Sequence, residues 1–131
     1  MNKILLYDTT MRDGAQTVGI SFSLQDKLRI AAELDRLKVD YIEGGWPGSN
    51  PKDDLFFKEV GNCNLQHAKV AAFGSTKRPK ISCKDDALLN ILADSGAKTV
   101  TVVAKTWDFH VTKALNIDLK ENLTMIYETV S

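Results

Sequence analysis

Short apolar runs alternate with longer stretches of helical period along this chain. The runs are Ile4-Leu5-Leu6-Tyr7, Val39-Asp40-Tyr41-Ile42-Glu43, Lys69-Val70-Ala71-Ala72-Phe73 and Thr99-Val100-Thr101-Val102-Val103-Ala104. Their length and bounding turn residues read as strands. The first is expected to be buried, and the fourth is β-branched almost throughout, as a buried parallel strand should be.

Between the runs the period changes. Ser23-Leu24-Gln25-Asp26 sets a hydroxyl three residues ahead of a carboxylate, a capping box, and Leu24, Leu28, Ala31 and Leu34, widened by Ile30 and Leu37, form the apolar stripe of the helix it starts. Asn50-Pro51 starts a helix to about Val60, stopped by Gly61-Asn62. Ser82-Cys83-Lys84-Asp85 repeats the capping pattern ahead of Ala87, Leu88, Ile91 and Leu92, with Gly96 closing that face. From Thr112 the chain turns helical again, breaks near Asn116, and ends in an amphipathic segment from Leu119 to about Val130. Strands beginning near 4, 40, 69 and 99 give successive βα units, about thirty residues each, in a parallel sheet.

Composition changes this picture little. Hydrophobic residues are 44 % and charged ones 26 % of the chain, a balance able to bury a core. Seventeen Lys and Arg offset seventeen Asp and Glu, so no net field attracts nucleic acid or an anionic membrane. The apolar part of the N-terminus is too short for a signal peptide and no apolar run spans a bilayer, which by default implies a cytoplasmic protein. Cys63 and Cys83 have neither C-x-x-C spacing nor a nearby histidine pair, and read as free structural thiols.

Chemistry is expected where the first strand opens into Asp8-Thr9-Thr10-Met11-Arg12-Asp13-Gly14, because parallel α/β folds build sites at the carboxyl ends of their strands. Two carboxylates and a guanidinium there can place a hard anionic ligand beside a fixed cation. They can equally cap the turn and make a surface ion pair. Glu43 ends the second strand, at the mouth of a site or simply in solvent. Lys77-Arg78-Pro79-Lys80 reads as a solvated basic loop, with coenzyme phosphates as the less usual meaning.

The block from Asp8 to Gln16, continued by Gly19-Ile20-Ser21-Phe22-Ser23, resembles the opening of the DRE-TIM metallolyases, the barrel family of isopropylmalate, homocitrate and citramalate synthases. Tyr41-Ile42-Glu43-Gly44-Gly45-Trp46-Pro47-Gly48-Ser49-Asn50-Pro51 resembles the citramalate branch. That resemblance implies the N-terminal half, about four βα units, of a TIM (β/α)8 barrel, with positions 1–131 as one domain. It implies condensation of acetyl-CoA with a 2-oxo acid such as pyruvate, in branched-chain amino-acid biosynthesis, by a homodimeric parent enzyme using Mg, Mn or Zn. Asp13 would bind the metal, Arg12 the ketone oxygen, and Glu43 would orient the metal-bound ligands. Gln16, Phe73, Thr101 and His110 would line the substrate, each with an ordinary alternative: a loop amide, core packing, a strand residue, a solvated histidine. Thr101 stands where isopropylmalate synthases carry histidine, which points to a different oxo acid.

A full barrel takes about 250 residues, and the family's His-x-His metal pair is missing here, since His67 and His110 are far apart. The chain is therefore expected to be an inactive piece of the synthase, separated by truncation or proteolysis. The alternatives are an isopropylmalate synthase piece acting on 2-oxoisovalerate, and a catalytically silent, self-associating half barrel. A flavodoxin-like open sheet competes on topology, but its first loop binds phosphate, which Asp13 would repel.

Overall fold

Four parallel strands pair in chain order to form the sheet of the computed structural model, which describes residues 3–131. They are β1 (Tyr7–Asp8), β2 (Tyr41–Gly45), β3 (Lys69–Ser75) and β4 (Thr99–Val103). Helices α1 (Leu24–Arg36), α2 (Pro51–Glu59), α3 (Ala87–Ala93) and α4 (Leu119–Val130) follow them one for one. These are four consecutive parallel βα units, the unit that a (β/α)8 barrel repeats.

Local chemistry explains the helix ends. Ser23 Oγ accepts from the Asp26 amide at 3.1 Å while Asp26 Oδ2 accepts from the Ser23 amide at 2.9 Å, the reciprocal box expected at the start of α1. Asn50 Oδ1 accepts from the Asp53 amide at 2.9 Å, and Pro51 opens α2. The third helix departs from expectation. Ser82 caps only a single 3-10 turn, Cys83–Asp85, and Asp86 is the true cap of α3, accepting from the Leu88 amide at 3.1 Å. Of the apolar face expected there, Leu92 is buried while Leu88 and Ile91 are exposed. Before α4, residues His110–Leu115 wind as a π-helix that ends at the left-handed Asn116.

The first strand also differs from its expectation. Ile4, Leu5 and Leu6 are 84 %, 51 % and 55 % exposed, and pairing starts only at Tyr7. β1 is an edge, held on its inner side by the Leu6 carbonyl accepting from Asp40 and Tyr41 amides, and no described strand pairs with its outer side. The basic loop is not simply solvated either. Lys77 Nζ donates to the Ile81 carbonyl at 2.8 Å and pairs with Glu128 at 3.1 Å, and the Arg78 amide donates to Asp86 at 2.7 Å.

Strand alternation sorts the side chains. Ile42, Ala72 and Gly74 face the helices, where Ile42 and Ala72 join Met11, Ala31, Phe56, Phe57 and Leu92 in the main core. Tyr41, Glu43, Phe73 and Thr101 alternate with them onto the concave face. A smaller core of Val111, Ile117 and Met125 lies beneath α4. No helix among the described residues is long and apolar enough to cross a membrane, and Cys63 and Cys83 are free thiols.

Candidate active site

The loop after β1 is built on one carbonyl: Thr9 O accepts from the amides of Arg12, Asp13 and Gly14 at 3.2, 2.9 and 3.1 Å. Asp8 supports the same turn, its carboxylate accepting from the Thr10 amide and hydroxyl at 3.0 and 2.9 Å. Asp8 is thereby a turn-former of the Asx kind. Met11 anchors the loop in the core at 1 % exposure, which leaves Arg12 and Asp13 presented at the carboxyl end of the sheet.

Arg12 is held on three sides. Its Nε donates to Glu43 Oε2 at 2.6 Å, its Nη1 donates to Asp13 Oδ1 at 3.0 Å, and its guanidinium carbon lies 3.9 Å above the centre of the Phe73 ring. The ring is itself set by an edge contact with Trp46, centroids 5.3 Å apart. A guanidinium has five N–H donors, and two are used in these bonds. The rest are free of these two partners, on a cation whose plane is fixed by charge pairing and cation–π contact.

Glu43 is 1 % exposed, and both of its oxygens are engaged. Oε1 accepts from the Tyr7 hydroxyl at 2.8 Å, and that same phenol oxygen touches Thr101 Oγ1. Burial, and secondarily the neighbouring Glu43 carboxylate, push the Tyr7 phenol up to about 12 against the opposing bond from Thr101. A connected chain thus runs from β4 through β1 to β2 and back to the first loop: Thr101, Tyr7, Glu43, Arg12, Asp13.

Beside it opens a cavity of about 690 Å³, lined by Arg12, Gln16, Phe22, Trp46, Asn50 and Lys52 among others. That volume suits a small organic ligand. A second cavity of about 480 Å³ lies at the opposite, amino end of the strands around His67 and Lys69, away from these groups.

The residues singled out by sequence separate into two sets. Arg12, Asp13, Glu43, Phe73 and Thr101 come together directly, and Gln16 shares the cavity wall with Arg12. His110 stands apart: it is exposed and packs edge-on against Trp107, centroids 4.7 Å apart. Tyr7 and Trp46 were missed. The signal for Tyr7 was available, since its hydroxyl is the sole polar side-chain atom of the run Ile4–Tyr7 and strand alternation sets it on the face of Glu43.

The donors for a divalent ion are few. Asp13, with its side chain 63 % exposed, offers one carboxylate, and no group of three His, Cys, Asp or Glu side chains capable of holding a metal occurs among the described residues. A catalytic ion generally needs about three protein ligands. These residues do not by themselves make a metal site.

The parallel βα units, with a buried carboxylate and a clamped arginine at the carboxyl end of the sheet, belong to an α/β class of protein. The HMGL-like family profile matches residues 3–131, and the chain belongs to that family, in its DRE-TIM division. It is 52 % identical over 98 % of its length to the (R)-citramalate synthase of Aquifex aeolicus, of which it covers 24 %, and 51 % identical to that of Geobacter sulfurreducens, of which it covers 25 %. It is 31 % identical to the 2-isopropylmalate synthase of Listeria innocua, again covering 25 %. The chain therefore spans about a quarter of the length of these relatives. Among solved structures, hydroxymethylglutaryl-CoA lyase from Pseudomonas aeruginosa superposes with a TM-score of 0.66 at 22 % identity, over 95 % of this chain and 40 % of the lyase. The Bacillus subtilis HMG-CoA lyase gives 0.63 at 18 % identity, over 98 % and 41 %. These two likenesses bear on the fold alone.

Proposed function

We propose that these 131 residues are the N-terminal half of the catalytic barrel of a cytoplasmic, homodimeric acyltransferase that condenses acetyl-CoA with pyruvate to give (R)-citramalate. The observation that carries the reading is the Arg12 clamp: a guanidinium locked by Glu43, Asp13 and Phe73 with donors left over, in a segment about half identical to two (R)-citramalate synthases.

The condensation removes a proton from the acetyl methyl group and forms a C–C bond to the ketone carbon of the oxo acid. The ketone oxygen becomes an alkoxide that is protonated to the alcohol, and water cleaves the thioester to release CoA. Arg12 donates to the ketone oxygen and stabilises the charge that grows there, a preorganised contribution of the oxyanion-hole kind. Glu43 holds the guanidinium plane, and Phe73 keeps its far face from water. Asp13 would offer one carboxylate to a divalent ion, which when bound would act as a Lewis acid. Gln16 lines the same cavity and would offer a further polar contact, whereas His110 does not line it and packs against Trp107.

The identities favour the pyruvate enzyme over the 2-oxoisovalerate one, at 52 % against 31 %. The test is release of CoA thiol by a protein of the relatives' full length carrying this segment, with acetyl-CoA and either oxo acid. Pyruvate-dependent release is expected, and Arg12→Lys or Asp13→Asn should lower kcat/KM by about 100-fold or more. Equal turnover of 2-oxoisovalerate would overturn the substrate assignment, and near-normal rates in either variant would overturn the residue roles.

A further inference from the structure

Tyr7 is a polar side chain that the acyl-transfer chemistry above does not use, yet it occupies the centre of the site. The residue is 41 % exposed at the edge of the sheet, where its hydroxyl could have been left to water alone. Here the hydroxyl reaches instead across the concave face. It meets Glu43 on the adjacent strand and Thr101 on β4, two strands farther on, 94 residues away in sequence.

The direction of these bonds follows from proton counting. A phenol has one proton and a carboxylate has none. Tyr7 therefore donates to Glu43 Oε1, and the Thr101 hydroxyl donates to the Tyr7 oxygen. Glu43 would otherwise have one oxygen on Arg12 and a free torsion about its last bond. With Oε1 fixed by Tyr7, its carboxylate plane has one orientation, and Oε2 is aimed at Arg12 Nε. Thr101 in turn removes the remaining rotation of the phenol's acceptor side.

We propose that Tyr7 is a positioning residue: its hydroxyl, steadied by Thr101, sets the orientation of Glu43 and through it the plane of the Arg12 guanidinium. The high pKa noted for the phenol agrees, since it keeps the donating proton in place across the working range of an enzyme. The kinetic consequence rests on the proposed acyl-transfer role of Arg12, whereas the structural consequence does not. The same bridge gives Thr101 a task other than substrate contact.

Two measurements on Tyr7→Phe, Thr101→Val, Thr101→Ser and the Tyr7→Phe/Thr101→Val double variant test this in the full-length protein. The first is hydrogen exchange at the Arg12 Nε–H by arginine side-chain NMR. Tyr7→Phe should speed exchange about tenfold or more, the factor that corresponds to one lost bond to a charged group. The second is steady-state kinetics. Tyr7→Phe should lower kcat by roughly 10–100-fold, a misalignment effect, with KM for the oxo acid nearly unchanged. Thr101→Val should move both readouts in the same direction but less, Thr101→Ser should restore them, and the double variant should be no worse than Tyr7→Phe alone. Unchanged Nε–H exchange in Tyr7→Phe overturns the proposal, as does strict additivity of the two substitutions in the exchange rates. If the wild-type protein turns over no oxo acid, the acyl-transfer reading fails, and the exchange measurement still decides the role of Tyr7.

Discussion

Lys27 on α1 and Asp53 on α2 form a buried ion pair directly beneath the cavity, with their side chains 3 % and 11 % exposed. Lys27 Nζ also donates to the Gly44 carbonyl at 2.8 Å, and Asp53 Oδ2 accepts from the Trp46 amide at 2.9 Å. The pair thus fastens two helices to the end of β2, immediately behind Glu43. A buried pair of this kind adds little net stability relative to a well-packed apolar replacement, but removing one partner strands the other charge. Lys27→Met should lower unfolding free energy by about 3–5 kcal/mol in urea titrations. A loss under about 1 kcal/mol would show that water or relaxation compensates Asp53.

Asp35 performs an equivalent task at the other end of the sheet. Its carboxylate accepts from the amides of Gln66, His67 and Ala68 at 3.0, 2.7 and 2.6 Å, tying the end of α1 to the entrance of β3. Those amides, Ala68 first, hold its carboxyl below the ordinary carboxylate value. Asp86 is also lowered: burial pushes it upward, and the donors from Arg78 and Leu89 outweigh that. A depressed folded pKa gives stability that is fully present above the unfolded value, about 3.9, and is lost as pH falls through the folded value. Asp35→Ala should cost about 1.5–3 kcal/mol at neutral pH. It should also flatten the acid limb of stability below about pH 4, measured by urea midpoints across pH.

The parts of the fold that were legible in the sequence are those in which one residue type carries one local meaning. The Ser23 and Asn50 caps, the break near Asn116 and the starts of β2, β3 and β4 follow from local chemistry and periodicity. Lys27 and Asp35 were not legible, because helical period places both within the apolar stripe of α1 while their charge reads as solvated, and the period does not say what would pair with them. Their burial depends on carbonyls and amides contributed from 17 to 33 residues away. Ile4–Leu6 was misread for the same reason, since an apolar run reports a wish to be covered and does not say what covers it. In the site, the motif residues Arg12, Asp13 and Glu43 were visible through resemblance. For Tyr7 alternation gives the face but not the bonds, because its partners Glu43 and Thr101 lie 36 and 94 residues away.

Gly44 links packing to the site. A Cβ there would collide with the Phe56 ring and come within 3.2 Å of Phe57, both part of the buried core. Because a ring in a full core cannot swing aside, Gly44→Ala should cost about 1–3 kcal/mol by overpacking. The residue follows Glu43 directly, so relief by backbone movement would also shift the Arg12 clamp. Thermal melts should show the stability loss. The clamp's displacement should appear as faster Arg12 Nε–H exchange, even where a stabilising background restores the melting temperature.

Alkaline pH offers a separate handle on Tyr7. An unfolded phenol ionises near pH 10, and in the folded chain Tyr7 is pushed up to about 12. A raised folded pKa contributes stability that is fully present below the unfolded value and is lost as pH rises through the folded one. Tyr7 should therefore add to the decline of stability between about pH 10 and about pH 12, because only the unfolded chain gains the favourable ionisation there. In ¹³Cζ-tyrosine NMR, the resonance abolished by Tyr7→Phe should stay at its neutral position past pH 10 and move only near 12. Glu43→Gln removes the adjacent negative charge, and Thr101→Val removes a bond that favours the ionised phenol. The first should lower the midpoint and the second should raise it, so shifts of opposite sign in the two variants are the signature of a phenol held between these two partners. Ionisation of the Tyr7 resonance at about pH 10 in the native protein, or identical midpoints in the two variants, would place its hydroxyl in solvent and away from Glu43.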